Sequence, residues 1–329
     1  MTNPKEFSAV CTEMGPQEAT LLYTGVMCQA GALALQYQFD RLFGYYKYRR
    51  ITLFMESPGG AVDGLDYVLR VMKKWAAQGR VVAMASTFQC ASAAAFLLAM
   101  GEWGHRRVDR GTFLLFHSAR LESATFAEMT AALSINLSQA LTSVDQKLLD
   151  VIVDKMLLET GNANKLCDLV AARCRHVDRH WKRLAPALTT FTTGADGKRK
   201  PEWLKAVQKW ARPGLEPKQF VLELKKHLNL RLQRDVRMDL CEAYVLCLID
   251  EISGVLDASS VEMALLPDLS DLSGVSEVPK VSERQVLPDE PSDADAHCPV
   301  FGERSPCAVR RTTNWRLGHA HADKRGQPL

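Results

Sequence analysis

No apolar leader opens this 329-residue chain: Lys5, Glu6, Glu13 and Glu18 interrupt its first twenty residues, so no secretory signal is expected there. Charge of one sign is not in excess either. The net charge of +3 is too small to imply a nucleic-acid or membrane partner by itself. The nine cysteines lack the dense, regular spacing of a disulfide framework. Cys28, Cys90, Cys241 and Cys247 sit in apolar stretches, which reads as reduced thiols in a cytoplasmic protein. There is no internal repeat and no phosphate-binding glycine loop, so any ATP dependence has to come from a partner. One stretch, Val81 to Met100, is uncharged over the length a bilayer requires. Its polar centre, Ser86-Thr87-Phe88-Gln89-Cys90, reads better as a buried strand running into a buried helix, and no membrane partner is expected.

What is there is ordinary in bulk, with 47% apolar and 24% charged residues, as in soluble globular proteins. The length suffices for two domains or for one domain with an insertion. Ile51 to Met55 is a compact β-like run ended by the turn signal Glu56-Ser57-Pro58-Gly59-Gly60. Val62 to Trp75 then has helical spacing, with Leu65, Val68, Leu69 and Met72 on one face. Arg80 to Ala85 and Gly111 to Phe116 read as strands, Ala91 to Met100 as a buried helix, and Phe126 to about Thr160 as a long helix. Strands alternating with helices predict an α/β unit with parallel pairing.

Residues 1–18 are an N-terminal segment, and 19–160 with 232–256 form the expected α/β domain. Between these two parts, residues 161–231 are rich in Lys and Arg, with Trp181, Trp203 and Trp210 interspersed. Such clustering can mark nucleic-acid contact. A mainly helical insertion with a solvated basic face accounts for it equally simply, and a nucleic-acid partner is not expected. Residues 257–329 lose periodicity, are rich in Pro, Ser, Asp and Glu, turn basic from Arg304 to Arg325, and are expected to form a flexible tail.

Three local patterns bear on chemistry. Ser57-Pro58-Gly59-Gly60 follows a strand, and two glycines there let backbone N–H groups approach a bound carbonyl; alone, it is also an ordinary turn. Ala91-Ser92-Ala93-Ala94-Ala95-Phe96 places a serine between a strand and an apolar helix, where free N–H groups and the helix dipole favour an oxyanion; alone, it is also an N-cap. Leu114-Leu115-Phe116-His117-Ser118 ends a strand on a histidine, the usual base for a serine nucleophile, or else a hydrogen-bonded strand-end histidine.

Together the three resemble the proteolytic subunit of the Clp protease. That family carries Ser-Pro-Gly-Gly after a strand, a nucleophilic serine ahead of an Ala-Phe-Leu-Leu helix, and a strand ending in the catalytic histidine. Here they read Ser57-Pro58-Gly59-Gly60, then Ala91-Ser92 through Phe96-Leu97-Leu98-Ala99, then Leu115-Phe116-His117. The family's triad aspartate fits Arg234-Asp235 with Glu242-Ala243 downstream, followed by Cys247-Leu248-Ile249-Asp250-Glu251-Ile252. The resemblance spans roughly residues 20–160 and 232–255. The chain differs from the family at Phe88-Gln89-Cys90, ahead of the serine, and at Ser118-Ala119-Arg120, past the histidine.

The resemblance implies a fold of stacked ββα units of the Clp protease/crotonase type. It implies a serine endopeptidase with Ser92 as nucleophile, His117 as general base and Asp235 orienting the histidine, Asp239 being the nearby alternative to Asp235. Gly60 and Ala93 would supply the oxyanion N–H groups. It further implies a peptide or unfolded-protein substrate, no metal or organic cofactor, a homo-oligomeric ring of plausibly seven subunits, and an ATP-dependent unfoldase as possible partner. Two other functions compete. One is a crotonase-type acyl-CoA enzyme, which requires carboxylates at the site. The other is a non-catalytic scaffold binding through the tryptophans and lysines of residues 181–210. Cys167, Cys174, His176 and His180, and in the tail Cys298, Cys307, His319 and His321, are Cys/His groupings that lack the paired Cys-x2–4-Cys spacing of zinc sites.

Overall fold

The computed structural model describes residues 7–120, 131–188, 200–212 and 214–257. In chain order its elements are β1 (Phe7–Met14), β2 (Glu18–Gly25), α1 (Gln29–Phe39), a π-helical stretch Asp40–Tyr45, β3 (Arg50–Glu56), α2 (Val62–Ala76), β4 (Val81–Ser86), β5 (Gln89–Ala91) and α3 (Ala93–Ala99). Then follow β6 (Arg106–Val108), β7 (Phe113–Leu115), α4 (Ala131–Thr160), α5 (Ala163–Leu188), α6 (Glu202–Trp210), α7 (Pro217–Arg234), α8 (Leu240–Val245), β8 (Glu251–Ile252) and β9 (Leu256–Asp257). The tail expected to be flexible lies, from residue 258 onward, outside the described residues.

Among the described residues the main sheet runs β1-β2-β3-β4-β6-β8-β9. Its interior pairings, β2 through β8, are all parallel, and only the outermost strands β1 and β9 pair antiparallel. The α/β expectation with parallel pairing therefore matches what is seen. In β3 every second residue is buried, as the two-residue period of a strand demands. The register sets Leu21, Leu53 and Met84 in one buried row across three strands. Phe7–Met14, within the N-terminal segment, pairs with β2 from Phe7↔Gly25 to Met14↔Ala19 and so belongs to this sheet.

The uncharged stretch from Val81 resolves into β4, a turn, β5 and the seven-residue α3, all of whose residues are buried. A helix apolar on every side belongs in a core. Among the described residues no helix is long and apolar enough to cross a membrane.

Among the described residues of 161–231, α5, α6 and most of α7 are helices, and they are packed into the core. Leu166, Val170, Cys174, Val177, Trp181 and Leu184 of α5 recur every three or four residues and are buried. Trp181 and Trp210 are only 6% and 9% exposed, so these two rings belong to the core and not to the tryptophan surface that the scaffold alternative requires; Trp203 is partly buried against the core. Arg173 of α5 is fully buried, donating to the carbonyls of Tyr244 (2.9 Å) and Ile249 (3.0 Å) and lying 3.5 Å from Asp250. Asp250 in turn chelates Arg106 through Nε (2.8 Å) and Nη2 (2.6 Å). Burial alone would raise the Asp250 carboxyl, but the two guanidinium groups hold it below the usual carboxylate range. Helix α5 is thus tied by charge to the strand that follows α8.

Candidate active site

β5 sits in a short two-stranded sheet beside β7, with Gln89↔Phe113, Cys90↔Leu114 and Ala91↔Leu115 paired in parallel. On its other side Ser57 bridges Cys90: Ser57 N–H donates to Gln89 O (2.8 Å), and Ala91 N–H donates to Ser57 O (3.0 Å). A single residue then joins β5 to α3. It is Ser92, and its backbone has a positive φ, with φ +54° and ψ −130°. A non-glycine residue held there stores on the order of 1–3 kcal/mol of strain, the kind kept at functional sites. A sharp strand-to-helix turn of this sort lifts a serine hydroxyl clear of its neighbours.

Room for that turn comes from Gly59, at φ +96°. A Cβ on it would lie 2.3 Å from Ser92 Cβ and 2.6 Å from the Ala91 carbonyl oxygen. Gly60, at φ +152°, packs against Met27, where a Cβ would come within 2.0 Å of the carbonyl oxygen. The peptide groups flanking Gly60 are used in that bridge, Met27 N–H to Gly59 O and Ala61 N–H to Met27 O, both at 2.7 Å. The N–H of Gly60 itself stays outside the bridge. Ala93, first residue of α3, carries one of the N–H groups that a helix start leaves without an intrahelical acceptor.

Gly60, Ser92, Ala93 and His117 all line one cleft of about 610 Å³, walled by Val26, Met27, Leu65, Phe96 and Leu148. No Asp or Glu is among the described residues that line it. Ser92 and His117 share the cleft without a direct hydrogen bond. His117 Nδ1 lies 2.7 Å from the Ser118 carbonyl oxygen. A carbonyl can only accept, so Nδ1 carries a proton, and in the neutral ring Nε2 is the nitrogen with the lone pair.

Asp235 comes from far along the chain, yet hydrogen bonds on either side pin it near the histidine. Ser118 N–H donates to Leu232 O (3.1 Å), and Met238 N–H donates to Leu114 O (2.8 Å). Asp235 caps the end of α7 in the left-handed conformation, φ +52° and ψ +41°, which Asp tolerates better than most residues. Its carboxylate is ion-paired with Arg120, a cleft residue, and not hydrogen-bonded to His117. The hydrogen bond and charge of Arg120, and more weakly the charge of His117, hold that carboxyl below its ordinary range. Asp239 is differently employed: it caps α8, accepting from Cys241 N–H at 2.8 Å. Burial pushes its carboxyl up, the Cys241 N–H acting against that.

Residues 36–162 match the family model of the Clp protease. The chain is Clp protease-like. That match takes in Gly60, Ser92, Ala93 and His117, while Asp235 and α5 to α8 lie beyond it. No curated protein matches the Clp protease-like chain.

Two residues of the site were not singled out from sequence. Arg120 had no local signal, since its partner is over a hundred residues away. Glu56, at the end of β3, accepts from the turn that leads into β5; a carboxylate beside a Pro-Gly-Gly turn was the only hint. Of the groupings weighed for zinc, Cys174 is buried, its thiol pushed up to about 12. The His176 and His180 rings lie 4.8 Å apart. Among the described residues no group of three or more His, Cys, Asp or Glu could hold a metal ion; the tail grouping lies outside them.

Proposed function

We propose that this Clp protease-like chain is a serine endopeptidase with Ser92 as nucleophile, His117 as base and Asp235 as the orienting acid. The observation that carries the reading is the strained Ser92 sharing one cleft with a histidine whose Nδ1 is held by a backbone carbonyl, which leaves Nε2 as the nitrogen for the serine proton. Ser92 Oγ attacks the scissile carbonyl while its proton passes to His117 Nε2. The tetrahedral oxyanion is received by the N–H groups of Gly60 and Ala93, where losing one donor costs about 3 kcal/mol. The C–N bond then breaks, His117 returns the proton to the leaving amine, and water repeats the sequence on the acyl-enzyme. Completing the triad exchanges two contacts: Asp235 leaves Arg120, and His117 Nδ1 leaves the Ser118 carbonyl.

On this reading the strands and helices are stacked ββα units of the Clp protease/crotonase type. The substrate is a peptide or an unfolded protein, the chain works as a homo-oligomeric ring in the cytoplasm, and an ATP-dependent unfoldase supplies the substrate. The acyl-CoA alternative needs a carboxylate at the cleft and finds no support among its described lining residues. The scaffold alternative loses two of its three tryptophans, Trp181 and Trp210, to the core.

Labelling of purified protein with a fluorophosphonate probe tests the proposal. Labelling should map to Ser92, vanish in Ser92→Ala, and fall at least 100-fold in His117→Ala, the lower range of general-base effects. A folded wild-type protein that takes no label at Ser92 refutes it.

A further inference from the structure

The Ser92 turn is only as well placed as the strand that delivers it, and one carboxylate holds the start of that strand. Glu56 ends β3. Its Oε1 accepts from Thr87 N–H (2.5 Å) and Thr87 Oγ1–H (2.9 Å), and its Oε2 accepts from Phe88 N–H (3.0 Å) and Gln89 N–H (2.9 Å). Three successive backbone donors converging with a hydroxyl demand a group that only accepts, and on two oxygens at once. Bonds to an ionised acceptor are roughly twice as strong as neutral ones. Apolar packing gives this turn little else, for Phe88 is 75% exposed.

We propose that Glu56 is a positioning residue for the Ser92 nucleophile, fixing the 87–89 turn and through it the aim of β5. The inference rests on the reading of Ser92 as nucleophile. Glu56 does not line the cleft; it acts through Gln89. Gln89 is held at both ends, its N–H by Glu56 (2.9 Å) and its carbonyl by Ser57 N–H (2.8 Å). Three residues later the chain reaches Ser92. The same stretch of β3 runs on to Gly59, which packs on Ser92, and to Gly60, the proposed oxyanion donor. Residues 56–60 thus hold the attacking oxygen and one oxyanion N–H in a common frame. A misplacement of 1 Å between such groups can cost on the order of 100-fold.

The test compares full-length wild type with Glu56→Gln, Glu56→Asp and Thr87→Val, each checked for folding by circular dichroism. Two rates are read: fluorophosphonate labelling at Ser92, and turnover of a p-nitrophenyl ester resolved into kcat and KM. In either orientation glutamine turns its NH2 toward at least one backbone N–H donor, so E56Q should lose at least tenfold in labelling and kcat, with KM within twofold. Aspartate keeps both oxygens on a shorter arm and should recover part of that rate, three- to tenfold below wild type. T87V removes one of four bonds and should stay within threefold. A purely structural Glu56 would lower the unfolding midpoint and leave kcat per folded molecule unchanged.

An E56Q protein within twofold of wild-type kcat, or one whose loss lies in KM, overturns the proposal. Should E56Q not fold, E56D decides: a kcat loss with KM kept supports positioning, and wild-type kcat overturns it. A wild type never labelled at Ser92 ends the nucleophile reading and this inference with it, whereas a labelled wild type beside an indifferent E56Q ends this one alone.

Discussion

Asp250→Asn replaces one buried anion by an amide of the same shape, and its cost can be worked from the contacts. The Asp250 carboxylate accepts from the Arg106 backbone N–H (3.1 Å), Nε (2.8 Å) and Nη2 (2.6 Å), and lies 3.5 Å from Arg173. The side chains of Arg106, Arg173 and Asp250 are 1%, 0% and 2% exposed. Without the carboxylate two guanidinium groups stay buried with no anion from residue 250, beside the carbonyls of Ala99, Tyr244 and Ile249 and the Trp103 and Tyr244 rings. Removing one partner of a buried pair typically costs 3–5 kcal/mol, a large share of a net stability on the order of 5–15 kcal/mol. Urea unfolding followed by tryptophan fluorescence should therefore show a much lower midpoint with an unchanged slope. The folded carboxyl is held below its unfolded value of about 3.9. Its stabilisation is therefore fully present above that pH and is lost as pH falls through the folded value. The gap between wild type and variant should close in strong acid. A D250N protein within about 1 kcal/mol of wild type at neutral pH would refute the claim that this charge cluster ties α5 to the sheet. The exposed pair Arg70–Asp66 is the control, expected to be worth no more than roughly 0.5 kcal/mol.

Gly59→Ala should lower Ser92 labelling at least 100-fold in a folded protein, because the new Cβ collides with Ser92 Cβ and Ala91 O and has to adopt φ +96°; near-normal labelling would mean Gly59 and Ser92 are not packed together. Arg120→Ala should raise labelling roughly two- to fivefold, the factor equivalent to about 0.4–1 kcal/mol for an exposed ion pair, by freeing Asp235 for His117. The double variant with Asp235→Ala should lose that gain, and an R120A rate equal to or below wild type would show that Arg120 does not compete for Asp235.

Ser92 and His117 were legible in the sequence because each stands at the end of a short apolar run, so the local pattern names both the element and the place where it stops. Strands β3, β4 and β7 were legible for the same reason. β1 was not, although Phe7, Ala9 and Cys11 alternate along it and pack against the core; the apolar but exposed Val10 between them hid the period. β6 could not be read, since Arg106-Arg107 looks like a loop until the counter-charge from Asp250 is known. A tryptophan surface over 181–210 belongs to the scaffold alternative alone, suggested by the basic residues around those rings in sequence, whereas helical spacing puts Trp181 with Val170, Cys174 and Val177 on one buried stripe. The contacts of Asp235 were out of reach: an exposed left-handed residue finds Arg120 only after both segments have been folded together.

The bond between Arg106 and Asp250 spans 144 positions, and it sets an order of events during synthesis. At roughly 5–20 residues per second, the ribosome needs about 7–30 s after delivering β6 before its neighbour β8 exists. Through that interval the half-made sheet ends in a strand, β6, paired with β4 on one edge and with nothing on the other, the situation in which nascent chains pair with one another. The waiting strand has the sequence Arg106-Arg107-Val108. Two adjacent cations on an unpaired edge discourage a second copy from adding to it. The arginine that later anchors the finished protein thus also guards the unfinished one.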